Sequence, residues 1–140
     1  MGLWTQSESY LAASIVLQKH SRNEVSDPNY YLPAHALELA LKAFLRGNGA
    51  TLKCLRGIGH DLEICLGRAE CFGLDSFCQM SNEDMAAIRL LNSYYKVKEF
   101  EYIVTGSKRY PPITTLQEIV SRLLQKIEKF CNANRKLCRD

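Results

Sequence analysis

Apolar positions recur at three- and four-residue intervals along most of this chain, the spacing of helices that each bury one stripe. A first helix is predicted over about residues 7–25, with Tyr10, Leu11, Ser14, Leu17 and Gln18 on one face and Ile15 and Val16 widening it. Ser7 is its expected cap, with Glu8 in the first turn. Ser26-Asp27-Pro28-Asn29 then reads as a turn, because proline disfavours a helical residue before it. A second helix is predicted over about 31–46, with Pro33 near its start, and only His35, Glu38 and Lys42 interrupt its apolar surface. A helix apolar on every side sits in a core or in an interface between chains.

Gly47-Asn48-Gly49 closes that helix, and 50–59 reads as a connector containing Gly57 and Gly59. Asp61 caps a predicted third helix over about 62–71, with Leu62, Cys65, Leu66 and Ala69 on its buried face. After a mixed link over 72–80, Ser81-Asn82-Glu83-Asp84 opens a fourth helix running to about residue 100, its stripe being Met85, Ile88, Leu91 and Tyr95. The stretch 101–112 resists a helical reading. Thr115 and Glu118 have the spacing of a capping box for a last helix to about 137, with Leu116, Val120, Leu123, Ile127 and Phe130 aligned. The pattern predicts an all-α fold, an antiparallel bundle of four to five helices forming one domain over 1–140.

Composition agrees with an ordinary globular chain. Of 140 residues 46% are hydrophobic and 24% charged, which excludes disordered and fibrous classes. The net charge of +3 falls short of a dedicated nucleic-acid binder. Neither a secretory signal nor a membrane span is read from the sequence, so the expectation is a cytoplasmic chain without membrane contact. The six cysteines lack zinc-knuckle spacing and read as free thiols; no metal or other cofactor is expected. Phosphate-loop, dinucleotide-binding and nucleophile-elbow patterns are absent.

Candidate chemistry therefore rests on polar residues that interrupt apolar patterns. Glu38 and Lys42 stand four apart in the favourable order, either as a pair orienting the bundle or as a binding or catalytic pair. His60 is either a capping or interhelical hydrogen-bonding residue, or a general acid–base group working with Arg56, since its ordinary pKa lies near neutrality. Lys96, Lys98, Lys108 and Arg109 surround the exit of the fourth helix, interleaved with Tyr94, Tyr95, Tyr102 and Tyr110. They read as helix-end charges or as a phosphate-binding rim with stacking aromatics.

The run Tyr31-Leu32-Pro33-Ala34-His35-Ala36-Leu37-Glu38-Leu39-Ala40-Leu41-Lys42-Ala43-Phe44-Leu45, followed by Gly59-His60-Asp61-Leu62-Glu63, resembles the HEPN domain family. Leu90-Leu91-Asn92-Ser93-Tyr94-Tyr95 and Arg109-Tyr110-Pro111 are similar to its later helix and the turn beyond. The resemblance implies an antiparallel helical bundle that forms homodimers and a link to a nucleotide or RNA, in toxin–antitoxin or defence settings. The candidate binding residues are Glu38, Lys42, His60, Asp61, Arg109 and Tyr110. Catalytic members are metal-independent ribonucleases with four to six residues between Arg and His. Here Arg56-Gly57-Ile58-Gly59-His60 has three, so the resemblance points to a non-catalytic domain binding a nucleotide, RNA or a nucleotidyltransferase-type protein. The alternative is a ribonuclease using Arg56 and His60. The homodimer is expected to pair through the second helix and its neighbour at the fourth, because that helix has more apolar surface than one bundle core needs.

Overall fold

A computed structural model describes residues 2–21, 26–99 and 109–135, and its fold is an all-α bundle. Six α-helices follow in order: α1 (Leu3–His20), α2 (Asp27–Gly47), α3 (Leu52–Ile58), α4 (Leu62–Cys71), α5 (Asn82–Tyr95) and α6 (Ile113–Ala133), with a 3₁₀ turn at Leu74–Ser76. No strand occurs among the described residues.

Helix α2 is the axis of the molecule. Every residue from Ala36 to Leu45 is buried, and α1, α6, α4, α5 and α3 all pack against it. That is the physical reason its sequence is apolar on every side: neighbours within the same chain surround it. The expected homodimer contact through α2 is thereby corrected, because the surface assigned to it lies inside the chain.

Helix α1 runs antiparallel to α2 and to α6. Ser7 Oγ donates to the carbonyl of Ala36 (2.6 Å) and Asn29 Nδ2 to Ser21 Oγ (3.3 Å), so the partners in α2 descend as α1 ascends. Trp4 Nε1 donates to the carbonyl of Leu124 (3.1 Å) and Gln117 Nε2 to Ser14 Oγ (3.0 Å), the same sense against α6. Ser7 is thus a buried tether within α1, and the helix begins four residues before the expected cap, at Leu3. Ile15 and Val16 are exposed and do not widen the buried face.

Several ends moved for identifiable reasons. Ser26-Asp27-Pro28 starts α2 instead of separating two helices, since proline is welcome in a first turn, and Pro33 lies inside the helix. Thr51 accepts from the backbone N–H of Cys54 (3.1 Å) and caps α3, a seven-residue helix within the expected connector. At α5 the capping box is realised reciprocally by Ser81 and Asp84. At α6 it is not: Pro112 takes the cap position, without a side-chain cap, and Thr115 falls inside the first turn. The helix predicted to residue 100 stops at Tyr95, and much of the stretch 101–112 and the tail beyond 135 lies outside the described residues.

The stripes otherwise fall as their periods require. Leu62, Cys65, Leu66 and Ala69 of α4 are buried, as are Leu116, Val120, Leu123 and Ile127 of α6. Cys65 and Cys78 are buried, Cys54 and Cys71 exposed and Cys131 half-buried, all as free thiols; burial pushes the Cys65 thiol up to about 12. No disulfide or cluster of metal-ligating side chains occurs among the described residues.

Gly47 lies at a close contact of α2 with α6. A Cβ there would stand 2.6 Å from Cε1 of Phe130, whose ring packs against Phe44 and Phe77 at centroid distances of 5.1 and 5.3 Å. Gly47→Ala is expected to displace that ring and destabilise the fold by about 1–3 kcal/mol, the usual cost of overpacking. Urea unfolding of the two proteins checks it.

Candidate functional site

The site is built around one buried carboxylate. Glu38 is 3% exposed on the central helix and has polar partners from three directions. From its own helix, Lys42 Nζ donates to Oε1 at 2.6 Å, the i,i+4 pair expected from the sequence. From α5, the Tyr95 hydroxyl donates to Oε2. From the connector before α4, His60 Nδ1 lies 3.0 Å from the same oxygen. His35, one turn earlier on α2, places Nδ1 2.9 Å from the Tyr95 hydroxyl and 3.8 Å from Glu38 Oε2.

The connector is shaped to deliver His60. Helix α3 ends at Ile58, and Gly59 follows it at φ +66°, a positive-φ conformation that favours glycine. A Cβ on Gly59 would meet nothing within 4 Å, so the backbone conformation and not space selects glycine here. Its carbonyl accepts a second bond from Lys42 Nζ (2.7 Å), which fastens the turn to α2.

Asp61 then caps α4, its Oδ1 accepting from the backbone N–H groups of Glu63 and Ile64, both at 3.1 Å. Asn92 of α5, 0% exposed, fixes the same corner. Its Oδ1 accepts from the backbone N–H of Leu62 (2.8 Å), and its Nδ2 donates to Asp61 Oδ1 and Glu63 Oε2, both at 3.0 Å. Partial burial pushes the Asp61 carboxyl up, but the Ile64 N–H, the Asn92 amide and the Lys96 cation outweigh it, and the group titrates below its ordinary range.

Electrostatics follow from this geometry. Burial alone would push the Glu38 carboxyl up, because desolvation penalises the charged form. The nearby His35 ring and hydrogen bonds from Lys42, Tyr95 and His60 reverse the sign and hold it well below the ordinary carboxylate range. Glu38 is therefore an anion that only accepts. It follows that His60 carries a proton on Nδ1, so that in the neutral ring Nε2 keeps the lone pair; the side chain is 41% exposed. Tyr95 gives its proton to Glu38, so its oxygen accepts from Nδ1–H of His35.

The expected site residues divide into two groups. Glu38, Lys42, His60 and Asp61 meet in this one cluster. Arg109 and Tyr110 stand at a neighbouring tyrosine cluster. Tyr110 stacks on Tyr30 at 4.3 Å and donates to Asp27 Oδ1 (3.2 Å), while the backbone N–H of Arg109 donates to the Tyr94 hydroxyl (2.9 Å). Burial, together with the Asp27 carboxylate, pushes the Tyr110 hydroxyl up to about 12. Tyr30 and Tyr94 are the chain neighbours of Tyr31 and Tyr95, whose rings, 6.2 Å apart, edge the Glu38 cluster.

Arg56 is exposed in the last turn of α3, and its guanidinium makes no hydrogen bond or ion pair with any described residue; the structure does not join it to His60. Lys108 and Tyr102 lie outside the described residues, whereas Lys96 and Lys98 are exposed just beyond α5. His35, Asn92 and Tyr95 are members outside the expected site residues; in the sequence Tyr95 reads as a core or stacking aromatic. His35 had a signal, being three residues before Glu38 on the same helix face. A cavity of about 370 Å³ opens elsewhere, beside Gly2, Trp4, Arg46, Gly47 and Arg135, and none of the expected site residues lines it.

Neither a family model, nor a curated protein, nor a solved structure matches this chain. The cluster's chemistry must therefore carry the functional argument.

Removing the carboxylate tests the cluster itself. With Glu38→Gln, Lys42 loses its buried counter-charge, and the fold is expected to lose about 3 kcal/mol or more at pH 7. The folded-state carboxyl lies below its ordinary value of 4.5, so its contribution is fully present above that value and declines progressively as pH falls below it toward the folded-state value. Urea unfolding at pH 7 and pH 3 should show a wide gap between wild type and variant at pH 7 that narrows in acid. Equal gaps at both pH values would contradict an ionised Glu38.

Proposed function

We propose that this chain is a non-catalytic, HEPN-like helical domain that binds RNA or a nucleotide on the face where His60 and the start of α4 are presented. The observation that supports it best is the asymmetry between two side chains. His60 is held by Glu38 with its outer ring nitrogen exposed, while Arg56 makes no contact with it among the described residues. Cleavage of RNA needs both an acid–base group and a fixed cation against the phosphate. Here one is positioned and the other is not, which favours binding over turnover.

Exposed Lys96, Lys98 and Arg109 lie beside the tyrosines that edge the cluster and supply phosphate contacts in this reading. Homodimerisation belongs to the same reading, with a contact other than α2. A second reading, a metal-independent ribonuclease, is favoured by one specific feature: a buried carboxylate orienting a histidine is the arrangement a general base requires.

Fluorescence anisotropy with a labelled single-stranded RNA tests the proposal. The expected result is binding that weakens as salt rises, with the logarithmic slope reduced by about 0.7 for each cation removed among Lys96→Ala, Lys98→Ala and Arg109→Ala. Salt-independent binding, or unchanged slopes in all three variants, would count against it. Incubation of the same RNA with wild type and His60→Ala separates the two readings: cleavage by wild type that the variant loses supports the ribonuclease.

A further inference from the structure

Glu38 lies beneath His60 and has no proton to give. Its Oε1 takes Lys42 Nζ at 2.6 Å and its Oε2 takes the Tyr95 hydroxyl, leaving His60 Nδ1, at 3.0 Å, to act as a donor. The neutral imidazole has one N–H, so in that form, with Nδ1 donating inward, the outer nitrogen is bare. The ring is steadied edge-on against Tyr95, with centroids 6.0 Å apart, and the positive-φ Gly59 beside it adds no side chain. A fixed, outward lone pair selects ligands that bring a hydrogen to it. On a nucleic acid the sugar group that does so is the ribose 2′-hydroxyl, which DNA lacks. The phosphates, being acceptors, do not.

We infer that Glu38 is a positioning residue that keeps the His60 proton on Nδ1, so that Nε2 accepts a hydrogen bond from a ribose 2′-hydroxyl and distinguishes RNA from DNA. The inference rests on the nucleic-acid-binding reading above and adds to it the sugar chemistry that is recognised. A carboxylate at this place preserves it, whereas a neutral amide does not, because the amide's own N–H can donate to Nδ1 and send the ring proton to Nε2.

Two measurements on the full chain test it. Nitrogen-15 NMR of the histidine side chains, with the His60 signals assigned by their loss in His60→Ala, reads the tautomer directly. The Nδ1–H form is expected in wild type at neutral to mildly basic pH, moving toward Nε2–H in Glu38→Gln. In parallel, anisotropy compares RNA and DNA oligonucleotides of one sequence. Wild type should favour RNA by about tenfold, the scale of one net hydrogen bond, and His60→Ala should bind both alike. An Nε2–H tautomer in folded wild type overturns the inference, as does an RNA preference that survives His60→Ala. If Glu38→Gln fails to fold, the wild-type tautomer and the His60→Ala comparison still decide. If the Nδ1–H form is found but neither oligonucleotide binds, the nucleic-acid reading falls and takes the 2′-hydroxyl with it.

Discussion

One buried charge organises this protein. Glu38 sits near the middle of the most enclosed helix, where an isolated carboxylate would be far too costly to keep ionised. Its neutralisation requires groups that lie far apart in the chain: Lys42 from the next turn, His60 from the connector and Tyr95 from α5. Each must be in place for the carboxylate to be satisfied. A hydrophobic contact tolerates sliding by an ångström, whereas these bonds at 2.6–3.0 Å do not. Buried ion pairs contribute little net stability as a rule, and their effect here is to fix register among three segments. Lys42 carries this furthest, since the same ammonium also binds the Gly59 carbonyl and so clamps the turn that presents His60.

The fold was largely legible because periodicity reports on burial directly. The α4 and α6 stripes were visible as such, and both are buried except for the half-buried Phe130. The apolar character of α2 was equally visible, but its cause was not. Two environments make a helix apolar on all sides, the centre of one chain and the seam between two, and the pattern is identical in both. Only the positions of α1 and α6 distinguish them, and these depend on contacts as remote as Ser14 with Gln117. Helix starts failed where two residues competed for one role. Ser7 has the chemistry of a cap, yet its hydroxyl serves the carbonyl of Ala36 inside the core. Thr115 and Glu118 have the capping-box spacing, but Pro112 sets the turn before them.

Of the site, the local half could be read and the remote half could not. Glu38 with Lys42 follows from an i,i+4 spacing, and Asp61 from cap preference. Tyr95 belongs to the α5 stripe that the sequence assigns to the core, Asn92 follows the stripe residue Leu91, and both are buried. What the stripe does not encode is that their polar ends meet partners there. Asn92 has no exposure and still satisfies three hydrogen bonds to the Asp61–Glu63 corner, so its burial is that of a latch between α4 and α5.

The spacing between Arg56 and His60 acquires a physical meaning from the intervening turn. Arg56 is in the last turn of α3, where its charge favourably faces the helix's negative end. The backbone N–H of Gly59 bonds back to the Arg56 carbonyl and closes that turn, after which the positive-φ Gly59 redirects the chain. His60 therefore belongs to the next structural unit, anchored inward on Glu38, while Arg56 belongs to the exposed end of the previous one. Sequence proximity across such a turn does not create a preorganised pair, and a guanidinium must lie close to the reacting phosphate to stabilise its charge. The geometry of Gly59 thus accounts for both halves of the site: it delivers His60 to Glu38, and in doing so it parts His60 from Arg56.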